Sequence, residues 1–167
     1  LGAGSENFAR ILCAMDATQL QHYLHEHIPI SAAMGVTVLS ASKEGGVVVA
    51  APYGPNRNHR ATVFGGSLST LAILSAWGWL RLYVDGSDPL PSLVIQREKM
   101  HFAAPASKDF EARCEVPEAT ALASFEKALS RHGRARLELA SRVSSGEELV
   151  GRFEGSFVAL HRPMPKF

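Results

Sequence analysis

Gly66-Ser67-Leu68-Ser69-Thr70-Leu71-Ala72-Ile73-Leu74-Ser75-Ala76-Trp77-Gly78-Trp79-Leu80-Arg81-Leu82-Tyr83 is the stretch on which the fold turns. Its apolar residues, Leu68, Leu71, Ala72, Ile73, Leu74, Ala76, Trp77, Trp79 and Leu80, fall on every side of a helix. A helix that is apolar all round has to be buried all round. Its Ser and Gly residues and its closing Arg81 argue against a membrane span, which needs roughly 20 mainly apolar residues. The rest of the chain must therefore wrap it.

The flanking sequence supplies the wrapping. Gly35 to Ser42 is rich in β-branched residues, Glu44-Gly45-Gly46 is a turn, and Val47-Val48-Val49-Ala50 follows, so a hairpin is expected. Pro52 to Arg60 reads as a loop. Leu93 to Ala103 reads as a long strand. Asp109 to Val116 alternates, with Phe110, Ala112, Cys114 and Val116 on one face. Arg134 to Val143 alternates again, placing Ala135, Leu137, Leu139, Ser141 and Val143 inward. After a turn at Ser144-Ser145-Gly146, Leu149 to Leu160 sets Phe153 and Phe157 on a face with Gly151 and Gly155, where a neighbour can come close.

Two further helices are expected. Asp16-Ala17-Thr18-Gln19 is a capping-box start, Leu20, Tyr23, Leu24 and His27 share a face, and Pro29 ends the helix. Ser31 to Gly35 then reads as a connecting turn. Thr120 to His132 carries Leu122, Phe125 and Leu129 and ends at Gly133. Strands in hairpin order imply an antiparallel sheet. The expected fold is α+β, one curled antiparallel sheet around a long central apolar helix.

At 167 residues the chain holds one compact domain, expected over 16–162 behind a tail or linker over 1–15. Hydrophobic residues at 46% and charged residues at 20% suit a globular protein. A net charge of +1 gives no global basic field, so no nucleic-acid partner is expected. Leu1 to Ser5 lack a basic start and an apolar run, so neither a signal peptide nor a membrane partner is expected. Two cysteines, Cys13 and Cys114, are too few for a disulfide framework. They fit a reducing, cytoplasmic setting and read as inert.

The chemistry is expected in Pro55-Asn56-Arg57-Asn58-His59-Arg60-Ala61-Thr62-Val63-Phe64-Gly65-Gly66-Ser67, a polar loop that opens the apolar helix. The first amides of a helix have no internal partner and carry the positive end of its dipole. Without a Cβ at Gly65 and Gly66, a ligand can approach them, and their amides can hold an oxyanion. The same glycines also fit a purely structural reading, close packing of helix on sheet.

Asn56-Arg57-Asn58-His59-Arg60-Ala61-Thr62-Val63-Phe64-Gly65-Gly66-Ser67-Leu68, followed by Ala76-Trp77-Gly78, resembles the bacterial hotdog thioesterase-like domain. That domain is often the C-terminal half of a GNAT-type acetyltransferase fusion. The likeness extends to His27-Ile28-Pro29-Ile30-Ser31, Met34-Gly35-Val36 and Val94-Ile95-Gln96, over roughly residues 20–160. It implies a hotdog fold, hydrolysis of acyl-CoA or acyl-carrier-protein thioesters, no cofactor, and a homodimer or dimer of dimers. The wider hotdog thioesterases carry Asn, then His-Gly-Gly, then an acid about two turns into the helix. Asn58, Gly65 and Gly66 match that motif, and Phe64 replaces the His. The acid position falls at Ile73 or Leu74, so the helix acid is missing.

The candidate catalytic residues are thus Asn58, His59, Gly65 and Gly66. Asn58 cannot act as a base, but it can orient a water or the thioester. His59 is a base, or a loop histidine bonded to backbone or solvent. The candidate substrate-binding residues are Asn56, Arg57, Arg60, Phe64, Ser67 and Gln96. Arg57 and Arg60, like Arg97 and Lys99 on one strand face, suit the phosphates of coenzyme A. Ser67 reads as a helix cap rather than a nucleophile.

Gln96 and Glu98 share a strand parity, which lets one of them reach a facing protomer. A tunnel beside Trp77 and Trp79 would set acyl length. His22, His25 and His27 lack Cys or carboxylate partners at ligand spacing, so no metal is expected. Two other readings stay open. One is a non-catalytic acyl-CoA binding or sensing module, and the other is a dehydratase.

Overall fold

A computed structural model describes residues 15–161 of the chain. The expected tail, apart from Met15, lies outside the described residues, as do Cys13 and the expected domain boundary at 162.

Helix α1, Ala17–His27, starts with the expected reciprocal cap. Asp16 Oδ1 accepts from the Gln19 amide at 2.8 Å, and Gln19 Oε1 accepts from the Asp16 amide at 2.9 Å. Pro29 does end α1, but it also opens a second short helix, α2, Pro29–Ala33, where the sequence suggested a turn. Proline suits a first helical position because its missing N–H would be unsatisfied there anyway.

Strands β1, Thr37–Ser42, and β2, Gly46–Ala51, form the expected hairpin. A short helix α3, Tyr53–Asn56, lies inside the expected loop. The central helix α4 spans Gly65–Tyr83. It is followed by β3, Ser92–Phe102, β4, Phe110–Cys114, α5, Ala119–His132, β5, Arg134–Ser145, and β6, Glu148–Leu160. α5 ends as expected on a left-handed Gly133. Val116 lies past the end of β4 and is 40% exposed, so it leaves the inward row expected for it. β5 runs on to Ser145, which moves the turn to Gly146 and Glu147.

The six strands form one sheet in the order β1-β2-β4-β5-β6-β3, every neighbouring pair antiparallel. The sheet curls around α4, whose Leu71, Ala72, Ala76, Trp79 and Leu80 are fully buried. Burying each large apolar side chain contributes on the order of 1.5–3 kcal/mol. Gly78 lets α1 approach closely, since a Cβ there would sit 3.3 Å from Leu20 Cδ2. One curled antiparallel sheet around a central helix is the hotdog fold. Among the described residues no helix is long and apolar enough to cross a membrane.

Two features depart from the expected pattern and position the site. First, α4 is not buried all round. Gly66, Thr70, Ile73 and Trp77, at helical spacing, form a half-buried stripe.

Second, β3 carries a bulge between Ile95 and Arg97. Before it, Leu93 and Ile95 pair with Ala159 and Phe157 on the helix-facing side. After it, Glu98, Met100 and Phe102 pair with Gly155, Phe153 and Gly151 on that same side. Gln96 and Glu98 therefore do not share a face, because the extra residue breaks the alternation. Gln96 faces outward, where its Oε1 accepts from Arg136 Nη2 at 2.7 Å. Arg97 and Lys99 do share the outer face, opposite Ser156 and Glu154.

The two sheet edges differ as well. On β1, the Val38 amide donates to Gln21 Oε1 from α1. Among the described residues β3 pairs with β6 on one side and with no strand on the other.

Candidate active site

The loop before α4 is braced by its two asparagines. Asn56 is 3% exposed, and its Nδ2 donates to the carbonyls of Met34 and Pro52 at 2.9 and 2.8 Å. Its own carbonyl accepts from the Phe64 amide at 2.7 Å. Asn56 is thus the base of the loop, with its amide nitrogen turned to backbone rather than to a cleft.

Asn58 organises the tip. Its Oδ1 accepts from the Arg60 amide at 2.8 Å, and its Nδ2 donates to Thr62 Oγ1 at 2.9 Å. Backbone bonds from the Asn58 amide to Thr62 O and from the Ala61 amide to Asn58 O close the turn. Asparagine commonly bonds its own backbone two residues on in this way. The turn holds Ala61 at φ 56°, in the left-handed region that costs roughly 1–2 kcal/mol for a residue with a Cβ. Arg57, His59 and Arg60 are all exposed around it, and no acidic residue occurs between Pro52 and Phe64.

The two glycines have different roles. At Gly66 an added Cβ would run into the Phe64 ring, so a side chain there requires that exposed ring to shift. At Gly65 an added Cβ would meet only the Phe102 ring at 3.4 Å, an ordinary contact. Gly65 also lines a cleft of about 330 Å³ together with Val63, Leu68, Phe102 and residues Ala103 to Ala106. The N-cap of α4 is Phe64 and no side chain caps the helix, so Ser67 is not the cap it was expected to be. Among the described residues neither glycine amide has a hydrogen-bond acceptor. A helix N-terminus with free amides beside an apolar cleft can bind the oxygen of a polarised carbonyl.

The sequence reading missed the segment Ala103-Ala104-Pro105-Ala106, which forms one wall of the cleft. The Val63 amide bonds the Ala106 carbonyl at 2.7 Å and joins that wall to the loop. A run of small residues closed by proline after a strand was a weak local signal. Only the tertiary fold brings it beside Gly65.

Several candidates lie away from the cleft. Gln96 is on the outer face of the sheet. Trp79 is fully buried core, with its Nε1 on the Lys43 carbonyl, and it lines no part of this cleft. Trp77 is half-buried, stacked on Tyr23 at 5.9 Å. His25 Nε2 bonds the Val36 carbonyl, His27 stacks on Tyr23 at 4.1 Å, and His22 lies 3.6 Å from Glu26.

The Cys114 thiol is buried, and this burial, helped by the Glu115 charge, pushes its pKa up to about 12. A hydrogen bond with Ser141 pulls the other way without offsetting it. The thiol stays protonated at neutral pH and is a poor nucleophile. Ile73 and Leu74 confirm that no acid stands on α4 where one was sought.

Comparison with known proteins fits this geometry. A protein of unknown function from Chlorobaculum tepidum is 26% identical, with 89% of this chain and 99% of that chain covered at a TM-score of 0.81. A protein from Shewanella oneidensis described as a "putative thioesterase" is 28% identical over 86% of this chain and 96% of its own, with a TM-score of 0.72. A Pseudomonas aeruginosa protein described as a "Probable Thioesterase" is 21% identical over 86% of this chain and 95% of its own, with a TM-score of 0.71, a likeness of fold alone. The family described as "Putative thioesterase (yiiD_Cterm)" matches residues 17–161, and the chain belongs to that family.

Proposed function

We propose that the protein hydrolyses acyl-CoA or acyl-carrier-protein thioesters, as a homodimer. The observation that carries this reading is Gly65 at the start of α4, whose amide has no acceptor among the described residues and which lines an apolar cleft of about 330 Å³. The acyl chain lies along the wall formed by Leu68, Phe102 and Ala103 to Ala106. The carbonyl oxygen meets the Gly65 amide, with Gly66 behind it, and negative charge developing there is stabilised by the helix dipole. Asn58 holds the loop in shape. Arg57 and Arg60, exposed and with no acid nearby in the loop, bind the phosphates of the coenzyme or the phosphopantetheine arm. His59 is exposed on the same loop.

The dimer reading rests on one face of the molecule. Among the described residues the outer edge of β3 has no partner, and Phe102 and Ile95 on that strand are 52% and 36% exposed, as is Phe64 before α4 at 57%. An uncovered edge with an apolar flank invites pairing.

Thiol release from a panel of acyl-CoA substrates tests the reading. Turnover on at least one chain length is expected, and none on any length contradicts it. One observation favours a second reading, an acyl-CoA binding module: no residue lining the cleft titrates. Tight acyl-CoA binding by calorimetry, with no hydrolysis, is the result that reading requires.

A further inference from the structure

The cleft beside Gly65 has a donor for an oxyanion and apolar walls, but nothing that takes a proton from water. No Asp or Glu occurs from Gly65 to Val84, so α4 supplies none. One chain therefore presents half of a hydrolytic site, and its Phe102 wall belongs to the edge strand β3.

A carboxylate stands on that edge. Glu98 pairs in register with Gly155, whose absent Cβ would meet the rings of Phe153 and Phe157, so Glu98 is on the core side of the sheet. It is exposed and, like several other exposed glutamates, makes no ion pair or hydrogen bond among the described residues; its place on the core side is what sets it apart. Its neighbours on that side, Ile95, Met100 and Phe102, are all apolar. The bulge is what puts it there. Without the extra residue, Glu98 would face outward and Arg97 and Lys99 would lie over the core.

We propose that Glu98 of a second copy completes the site as its general base, a role that rests on the thioesterase reading above. Two β3 edges related by a two-fold axis pair antiparallel. The proposal requires the register centred on Met100, which sets Glu98 of one copy opposite Phe102 of the other, on the same face. Opposed side chains in such a ladder start roughly 5 Å apart, and Phe102 is the residue packed on Gly65.

Glu98 then takes a proton from water as the new C–O bond forms and the carbonyl oxygen becomes an oxyanion on the Gly65 amide. When the C–S bond breaks, the thiolate takes that proton back. Thioester and water become acid and thiol, and Glu98 returns to its starting state.

The test uses Glu98→Gln and Gly65→Pro, singly and co-expressed, with hydrolysis followed by thiol release and mass by light scattering. Glu98→Gln should lower kcat about 10²–10⁴-fold with KM nearly unchanged and the dimer intact. Gly65→Pro removes the amide proton at a position where proline is tolerated. Co-expression should recover roughly a quarter of the unaltered rate, because half the dimers are mixed and each mixed dimer has one whole site.

Full turnover by Glu98→Gln overturns the role of Glu98 alone. Loss without recovery on co-expression, or loss through dissociation of the dimer, overturns it too. No turnover by the unaltered protein defeats the hydrolase reading itself, and this role falls with it.

Discussion

The ring of Phe102 lies against the first residue of the central helix, where a Cβ on Gly65 would sit 3.4 Å from its Cε1 and Cζ. Phe102 comes from the end of the edge strand and Gly65 from the start of α4, so this contact closes one side of the cleft. Phe102→Ala should widen it. For a thioester that packs on the ring, KM should rise about tenfold, as expected for roughly 1–2 kcal/mol of lost apolar contact. The profile of kcat/KM against acyl length should shift toward longer chains. An unchanged profile would separate this cleft from the acyl chain.

The two asparagines of the loop should respond differently. Asn56→Ala strips a buried donor from the Met34 and Pro52 carbonyls and should cost about 2–4 kcal/mol in urea unfolding. Asn58→Ala releases a half-exposed turn and should cost only about 1 kcal/mol. Its effect on hydrolysis should be a rise in KM, because the loop carries Arg57 and Arg60. A fall in kcat of about 10³-fold at constant KM would instead put Asn58 in contact with the reacting atoms.

Stability should fall at alkaline pH. Burial pushes Cys114 up to about 12, and burial together with Glu126 pushes Tyr83 up to about 12. Both groups ionise more easily in the unfolded chain, at their ordinary values of 9.0 and 10.0. The stability tied to their neutral forms is whole below pH 9 and is lost as pH rises toward 12. Urea midpoints should be flat from about pH 7 to 8.5 and then decline, less steeply in Cys114→Ala. Equal slopes in the two proteins would remove Cys114 as a cause.

Much of the fold was legible because it is written in periodicity. α4 announced itself by being apolar on every side, and β5 by strict alternation that put even Ser141 inward, where it meets Ser75 Oγ at 2.8 Å. What escaped was local backbone change and long-range register. The bulge at Gln96 is a single extra residue with no sequence mark, yet it puts Glu98 on the face opposite to Gln96. The short helices α2 and α3 are one or two turns long, below the length at which a period can be counted.

The site divided in the same way. Gly65 and Gly66 were readable as a pair, but only packing separates a glycine under the Phe64 ring from one that faces a cleft. Asn58 matched a motif whose chemistry the sequence could name. Its hydrogen bonds within the loop are a property of the folded turn.

The central claim is that the Gly65 amide holds the thioester oxygen as charge develops on it, and paired substitutions at that residue test it most directly. Gly65→Ala keeps the N–H and adds a Cβ in ordinary contact with Phe102. Gly65→Pro removes the N–H and adds a pyrrolidine ring at the first helical position, where the missing N–H costs the helix no bond, and Phe64 before it, at φ −63° and ψ 132°, already has the conformation a following proline requires. With acyl-CoA as substrate, kcat for Gly65→Ala should stay within about threefold of the unaltered protein, while Gly65→Pro should lose about 10²–10³-fold with folding intact. Equal rates for the two variants would contradict the account.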